Sequence, residues 1–561
     1  MAAPNTRELY NHRRGALWEE RSSWISQWQE VSENLLPRNG RFLVSDRNRG
    51  DKRHNLIYDN TGTRALRVLG AGLMAGMTSP ARPWFRLTTP DPKLAENDEV
   101  KGWLDDVTRL MRTIFAKGNT YRTLHSLYEE IGAFGTGAAL LLPDYNDVLH
   151  AAPLTIGEYA IATNYKGEVD TVYREFDMTV SQVVREFGIE NCSKYIKDLF
   201  DKGKGLDKWV TITHVVEPRN VRDLKGKLPK DMAYASCYFE SKGSEEKMLR
   251  ESGFKRFRAI APRWAVSGGD VYGNSPGMEA LGDLKQLQHQ QYRKLQGIDY
   301  QTKPPMQAPA SLKNQETNLL PGGVTYVDLT NANSGLRPAF EANINLQHLL
   351  LDIQDTRERV RQTFYADLFM MLSNDDRSGI TAREVAERHE EKLLMLGPVL
   401  ERMFNEMLSP LIDVTFDEML TAKIVPPPPK ALHGQDLEIE FVSVLAQAQR
   451  AVGIQSVDRL LGTVASLAGA KQDPGIWDKI DTDQVIDNYA DMLGVDPAMI
   501  VGDEKVALVR GERAKAQAQQ QQAMAAEQSA RTAQTLAKAP TDGQNALTDI
   551  MSGLQGYGGQ F

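Results

Sequence analysis

The chain has 561 residues and sets 66 Lys and Arg against 74 Asp and Glu, a net charge of −8 that excludes the global basic footprint of a tight nucleic-acid binder. A composition 41% hydrophobic and 25% charged belongs to a soluble globular protein with room for roughly two to four domains. Cys192 and Cys237 are the only cysteines, which fits a reducing compartment and no disulfide framework, a single bridge staying open. The start, MAAPNTRELYNHRRG, has no apolar signal core, and the run Ala65 to Met77 is too short to span a bilayer and contains Arg67, so the expectation is a cytosolic, unanchored protein.

Thr6 to Leu36 has the spacing of a long amphipathic helix ended by Pro37. Leu9, Leu17, Trp18, Trp24, Trp28, Val31 and Leu35 supply its apolar stripe, with Arg13, Arg14, Glu19, Glu20 and Arg21 as the wet face. The segment DRNRGDKRHN, with Arg47, Arg49, Lys52, Arg53 and His54, reads as a solvated loop, since it lacks the aromatic interleaving of a nucleic-acid contact. Residues 60–87, NTGTRALRVLGAGLMAGMTSPARPWFRL, predict a helix with small residues for close packing, then a turn anchored by Trp84 and Phe85. Gly70, Gly72 and Gly76 have the wrong spacing for a dinucleotide fingerprint and follow no strand. Asp98 to Lys117 and Tyr121 to Ala138 predict two further helices, the second passing through GAFGTGAALLLPD into a buried strand without the Lys-Ser/Thr of a phosphate loop. From about 140 to 265 the pattern shortens to AALLLP, TVYREF, WVTITHVVEP, YASCYFES and FRAIAPRWAV, strands with an inserted helix at Thr179 to Phe187.

The stretch Gly268 to Pro305 places Ser275 as N-cap and Pro276 at the first helical position, and predicts one helix to about Tyr300, before Pro304-Pro305. Met278, Leu281, Leu284, Leu295 and Ile298 form its seam, Gln288 and Gln291 interrupt that seam, and Lys285, His289 and Arg293 share one face. Residues 301–342 hold prolines, glycines and a short β candidate at Gly323–Val327, either a docking insert or a disordered surface one. A second long helix, Asn343 to Leu372, carries Leu346, Leu349, Leu350, Ile353, Val360, Phe364 and Leu368, with a salt-bridged face around Arg357, Arg359 and Arg361. The loop SNDDRSGI follows, closed by a capping box at Thr381 and Glu384. Asp375 and Asp376 beside Arg377 read as a solvated turn, because nothing nearby completes a metal or acid–base site. The next helix is expected to kink at Gly397-Pro398. Beyond Pro426–Pro429 come a strand at Leu437 to Val444 and helices at Leu445–Val452, Ser456–Leu467, Thr482–Leu493 and Glu504–Gln522. The tail turns Ala/Gln-rich and then Gly-rich, and is either disordered or a helical extension.

Four of these stretches resemble one family in order: GLMAGMTSPARPWFRL; RWAVSGGDVYGNSPGMEAL with its Gln-rich helix and KPP; GITAREVAERHEEKLLMLGPVLERM; and VGDEKVALVRGERAKAQAQQQQ. The family is the portal proteins, the head-to-tail connectors of short-tailed bacteriophages, and the resemblance runs from about residue 5 to about residue 525. It implies an α+β, mostly α-helical ring subunit with wing, stem, clip and crown. The implied parts are a helical wing portion at 1–145, an α+β wing portion at 146–267, a first stem helix at 268–300, a clip at 301–342 and a second stem helix at 343–372. A tunnel loop at 373–380, a kinked wing helix at 381–425, a helical crown at 426–525 and a low-complexity tail at 526–561 follow.

The implied function is a dodecameric channel at one capsid vertex for packaging and ejecting double-stranded DNA. Its implied partners are the terminase packaging motor, a tail adaptor protein, and the major capsid and scaffold proteins, in the virion and in host cytoplasm during assembly, with no membrane. The alternative is another non-enzymatic structural component of a phage head–tail assembly. Candidate channel or DNA-facing residues are Ser373, Asn374, Asp375, Asp376, Arg377, Ser378, Lys285, His289 and Arg293; candidate docking residues of the clip are Lys303, Pro304, Pro305, Lys313 and Asn314. No catalytic, metal or cofactor residues are expected. The chain has no H-E-x-x-H, phosphate loop, cysteine cluster, nucleophile elbow or kinase set.

Overall fold

A computed structural model describes residues 6–42, 57–91, 97–203, 205–220, 228–242, 247–308, 347–373, 395–443, 454–471, 474–493 and 503–537, with a few isolated positions between them. The architecture is α+β and mostly helical, and the chain falls into two compact units, Met1–Ala465 and Ser466–Phe561.

In the first unit, α1 (Thr6–Leu35) buries Tyr10, Leu17, Trp28, Val31 and Leu35, while Leu9 is half exposed. Its expected wet face needs correction. Arg21 is buried and donates from Nη1 to the carbonyls of Gly157 at 3.0 Å and Tyr159 at 2.5 Å; Arg7 is buried too and donates to the Glu240 carbonyl at 2.7 Å. Arg13 pairs with Glu217 at 3.1 Å and Arg14 with Glu175 at 2.9 Å. The helix lies across a five-stranded sheet, and the arginines satisfy acceptors there that would otherwise be buried unmet.

Next come α2 (Thr61–Met77), β1 (Phe85–Thr88), α3 (Asp98–Lys117) and α4 (Thr120–Phe134). The α2 glycines are contact points, as their spacing suggests: a Cβ on Gly72 would lie 2.2 Å from the Phe369 ring, and one on Gly76 would lie 2.6 Å from Leu445. Asn97 caps α3 by accepting from the Glu99 and Val100 amides. Trp84 and Phe85 are buried against each other and against Phe115.

The β region is richer than expected. The expected β2 (Ala138–Asp144), β5 (Val169–Thr179), α5 (Val180–Phe187), β6 (Trp209–Pro218), β7 (Tyr234–Glu240) and β9 (Ala259–Ile260) are joined by β3 (Val148–Leu154), β4 (Tyr159–Thr163), α6 (Lys194–Asp201) and β8 (Arg250–Phe254). The sheets run β3-β2-β9 and β4-β5-β6-β7-β8, antiparallel throughout. FRAIAPRWAV yields a strand of two residues, β9, with Pro262 two positions further on, and isolated bridges at Arg263 and Ala265. On one face of the larger sheet Tyr10 and Leu17 of α1 meet Tyr173, Val215 and Phe239; on the other, Val180, Val183 and Phe187 of α5 meet Ile212 and Tyr238. Cys192 and Cys237 are free and buried on opposite faces of this sheet.

The first predicted stem helix is broken. Ser275 caps α7 (Pro276–Glu279) with its hydroxyl on the Met278 amide, as expected, but α8 (Leu281–Thr302) starts separately after Ala280. A two-residue ribbon of β10 (Met306–Gln307) and β11 (Arg337–Pro338) then joins the two ends of the insert. The second predicted stem helix is broken as well: α9 (Gln347–Thr363) and α10 (Ala366–Ser373) flank Tyr365, whose φ is 54°. Gly323–Val327 and the capping box at Thr381 and Glu384 lie outside the described residues, as do Arg47, Arg49, Lys52, Arg53 and His54.

Helix α11 (395–403) includes Gly397 and Pro398, and a π-turn at Phe404–Leu408 leads from it into α12 (Ser409–Thr421). The expected strand at 437–444 is β12 (Glu438–Phe441), which pairs antiparallel with β1, so this late segment closes the core of the first unit. The helix α13 (Ile454–Lys471) leads to the second unit, where α14 (Thr482–Leu493) and α15 (Asp503–Ala537) are tied by Arg510 on Asp483 at 2.5 and 2.7 Å. Helix α15 extends well past the expected Gln522, which takes the helical alternative for the first part of the tail.

Candidate functional site

Two glycine-rich stretches, GAFGTG and VYGNSPG, meet in space. Gly135, at φ 77°, ends α4 and accepts from the Trp264 amide at 2.8 Å. The Thr136 hydroxyl takes the Gly273 amide at 2.9 Å, and the Ser275 hydroxyl donates to the Ala133 carbonyl at 2.8 Å. A Cβ on Gly135 would stand 2.0 Å from the Gly273 carbonyl oxygen, and one on Gly277 would stand 2.4 Å from that of Ala133. Gly135 of GAFGTG and Gly277 of VYGNSPG stand where two backbones cross and no side chain fits. This crossing sets the direction in which α7 and α8 leave the body.

The Arg of RWAVSGG has a similar task. Arg263 is buried, and its Nη2 and Nε reach Glu406 at 2.7 and 3.2 Å, while the same carboxylate takes the Arg263 amide at 3.0 Å. Glu406 sits in the π-turn, whose extra residue per turn aims it inward.

The two long helices α8 and α9 run antiparallel, since Asp283 pairs with Arg359 at 3.2 Å while Gln290 bonds Asp352 further along. They are joined by Asp59, which sequence reasoning missed. Its carboxylate accepts from the Thr61 amide at 2.9 Å, Gln291 Nε2 at 3.0 Å, and Arg357 Nε and Nη2 at 2.9 and 2.6 Å. Burial would raise its pKa, but the Thr61 and Arg357 hydrogen bonds outweigh burial and hold it below the usual aspartate range. Gln288 completes the joint: its Oε1 takes the Tyr58 and Asp59 amides at 2.7 and 2.8 Å, and its Nε2 donates to the Asp59 carbonyl at 2.9 Å. The glutamines expected to interrupt the seam are thus buried and form the joint, whereas Leu295 and Ile298, expected inside the seam, are 49% and 37% exposed. An aspartate two residues ahead of a threonine that opens a helix was the available signal.

The predicted DNA-facing residues of α8 fall on its exposed side. Lys285 pairs with Glu30 of α1 at 2.5 Å, His289 lines a groove with Tyr58 and Tyr292, and Arg293 donates to Gln296 at 3.0 Å. Ser373 ends α10; Asn374, Asp375, Asp376, Arg377 and Ser378 lie outside the described residues. Of the predicted clip residues, Lys303 closes α8 by donating its amide to Asp299, and Pro304 and Pro305 lead into β10. Lys313 stands in a turn, and Asn314 lies outside the described residues. Among the described residues no group of three His, Cys, Asp or Glu could hold a metal ion, and no helix is long and apolar enough to cross a membrane.

This arrangement is one of crossings and joints that orient a helix pair. The model of a family described as bacteriophage head to tail connecting protein matches residues 7–501. The chain belongs to that family. This connector is 57% identical over 557 residues to the probable portal protein of Bordetella phage BPP-1, covering 99% of this chain and 100% of that one. It is 48% identical over 537 residues to the portal protein of Salmonella phage epsilon15, covering 95% and 96%. Among solved structures, the neck of an empty gene transfer agent particle covers 75% of the connector and 93% of its own chain at 12% identity and a TM-score of 0.34, too loose a match to carry an argument.

Proposed function

We propose that the connector is the repeating subunit of a portal ring, non-enzymatic and built from about twelve copies, through which double-stranded DNA enters and leaves a phage head. The observation that carries this is the nearly full-length identity to two portal proteins, at 57% and 48%. In this reading α8 and α9 are the stem, and the insert that the β10–β11 ribbon closes is the clip, where Lys303, Pro304, Pro305, Lys313 and Asn314 meet the packaging motor or the tail adaptor. Residues 373–380 are the tunnel loop in this reading, and Lys285, His289 and Arg293 face the DNA. The net charge of −8 suits passage of a duplex, because few cationic contacts mean few counterions exchanged per step.

Negative-stain electron microscopy of the purified connector, with light-scattering mass on the same sample, tests the ring. Closed rings with a central channel at about twelve times the chain mass support the proposal; a monodisperse monomer or dimer at every salt and concentration overturns it. Arg293→Ala with His289→Ala is expected to leave rings intact and to alter DNA packaging or retention. Loss of rings in that variant would place these side chains between subunits instead.

A further inference from the structure

The stretch Asp436 to Phe441, DLEIEF, alternates strictly between acid and apolar. In β12 the pleat sends Leu437, Ile439 and Phe441 toward the core, where all three are partly buried, and leaves the acids on the other face, with Asp436 and Glu438 exposed and Glu440 on Arg86 at 2.5 Å.

The backbone has two sides as well. The Val442 amide donates to the Trp84 carbonyl at 3.0 Å, so Glu438, Glu440 and Val442 face β1, and the N–H and C=O groups of Ile439 and Phe441 point away from it. Other sheet edges in this protein are capped by side chains. On β1, Thr108 takes the Leu87 amide at 3.2 Å. On β3, Asn119 bonds both the amide and the carbonyl of Ala151, at 3.0 and 2.6 Å. On β4, Arg21 donates to the Tyr159 carbonyl and the Tyr272 hydroxyl takes the Ile161 amide at 3.2 Å. Such caps block the addition of a foreign strand. Among the described residues no hydrogen bond reaches the outward groups of Ile439 and Phe441. A cleft of about 600 Å³ opens beside them, lined by Thr88, Phe404, Ala446 and β12 itself, with the Phe404 ring stacked on Phe441 at 4.4 Å.

We infer that the outer edge of β12 is a strand-addition site for an extended segment of a partner protein that carries basic side chains at alternate positions. Main-chain bonds to Ile439 and Phe441 would supply the pairing, and directly opposed side chains in an added strand come within about 5 Å, where the exposed acids Asp436 and Glu438 favour Lys or Arg. Among the described residues the alternating bases Arg256 and Arg258 are already engaged by Asp413, Asp417 and Glu418, and the occupant that the acidic face fits is a basic segment of a different protein.

The test uses the full-length connector with a fluorescent eight-residue peptide alternating Lys and Val, and its Glu/Val counterpart. Fluorescence anisotropy reads binding, and hydrogen-exchange mass spectrometry reads protection of residues 438–442. The expected result is that the basic peptide binds and slows exchange there at least tenfold, while the acidic peptide does neither. Glu438→Lys, a surface change that leaves the pairing with β1 intact, is expected to weaken the basic peptide at least tenfold, and Ile439→Pro, which deletes one outward donor, to abolish binding. Equal binding of both peptides, protection elsewhere, or an unchanged affinity in Glu438→Lys overturns the proposal. Protection of 438–442 that grows with connector concentration in the absence of peptide also overturns it, because the occupant would then be a second copy. None of these outcomes depends on ring formation.

Discussion

At the scale of single residues, the most loaded positions are a buried acid and a glycine. Glu130 on α4 is buried and takes hydrogen bonds from Asn39 Nδ2 at 2.9 Å, Thr155 Oγ1 at 2.8 Å and the Ile156 amide at 3.3 Å. Burial nevertheless prevails over these bonds and lifts its pKa to about 7. The folded protein therefore holds a proton that the unfolded chain releases near the ordinary glutamate value, roughly 4.3. Since the folded state binds more protons across that interval, stability falls as pH rises from the ordinary value through about 7. Urea unfolding at a series of pH values should show a loss on the order of 3 kcal/mol from this group, and Glu130→Gln should flatten that slope. A slope unchanged in the variant would assign the pH dependence to other groups. Gly135→Ala should be more damaging, because it combines a φ of 77° with a Cβ 2.0 Å from a backbone oxygen. A cost of at least about 3 kcal/mol is expected, read as a lower urea midpoint or as loss of soluble protein.

At the scale of elements, what the sequence made legible is what repeats with a period. The ends of α3 and α14, the span of β6, the Ser275 cap and the packing role of the α2 glycines were all open to spacing and cap chemistry, because each depends on residues within a turn or two. The breaks at Ala280 and Tyr365 were not legible, since neither position carries Pro or Gly and both are set by what the flanking helices pack against. The same holds for Arg21, placed on a wet face until tertiary contacts supplied Tyr159, and for the distant partner Asp59 of Arg357 on its salt-bridged face. Of the candidate site, the exposure of the basic row on α8 was readable and the joint beneath it was not, because Asp59 is 229 residues from Gln288. That joint yields a prediction at its own scale. Asp59→Ala removes the acceptor shared by buried Gln291 and half-buried Arg357, at about 1–3 kcal/mol. Because the Asp59 pKa is held low, wild-type stability from this joint is present above the ordinary aspartate range and is lost as pH falls through its folded value. Acid titration of unfolding should therefore be shallower in Asp59→Ala.

At the scale of the whole molecule, the division at Ala465 has a physical consequence. Among the described residues, the large core cluster runs from Trp28 to Leu445, and the two clusters on either face of the five-stranded sheet end at Phe239 and Leu249. Burial of apolar area is the main term favouring folding, at roughly 25 cal/mol per Å². Nearly all of it in the described residues is therefore in place before α13 ends at Lys471. Helix α15 contributes little to any core: its side chains from Ala507 to Thr532 are exposed, among them Leu508 at 69%, Val509 at 51% and Met524 at 59%. A 35-residue helix this exposed and rich in Ala and Gln has helix propensity and length in its favour, with little packing within its own chain to add to them. A chain ended at Lys471 should accordingly keep its main melting transition within about 3 °C of the full chain, since lost contacts shift Tm only through the free energy they carried. Its far-UV circular dichroism should lose helical signal in proportion to α14 and α15. A collapse of the main transition would show that the second unit supports the first, and would make folding of the two a single cooperative event.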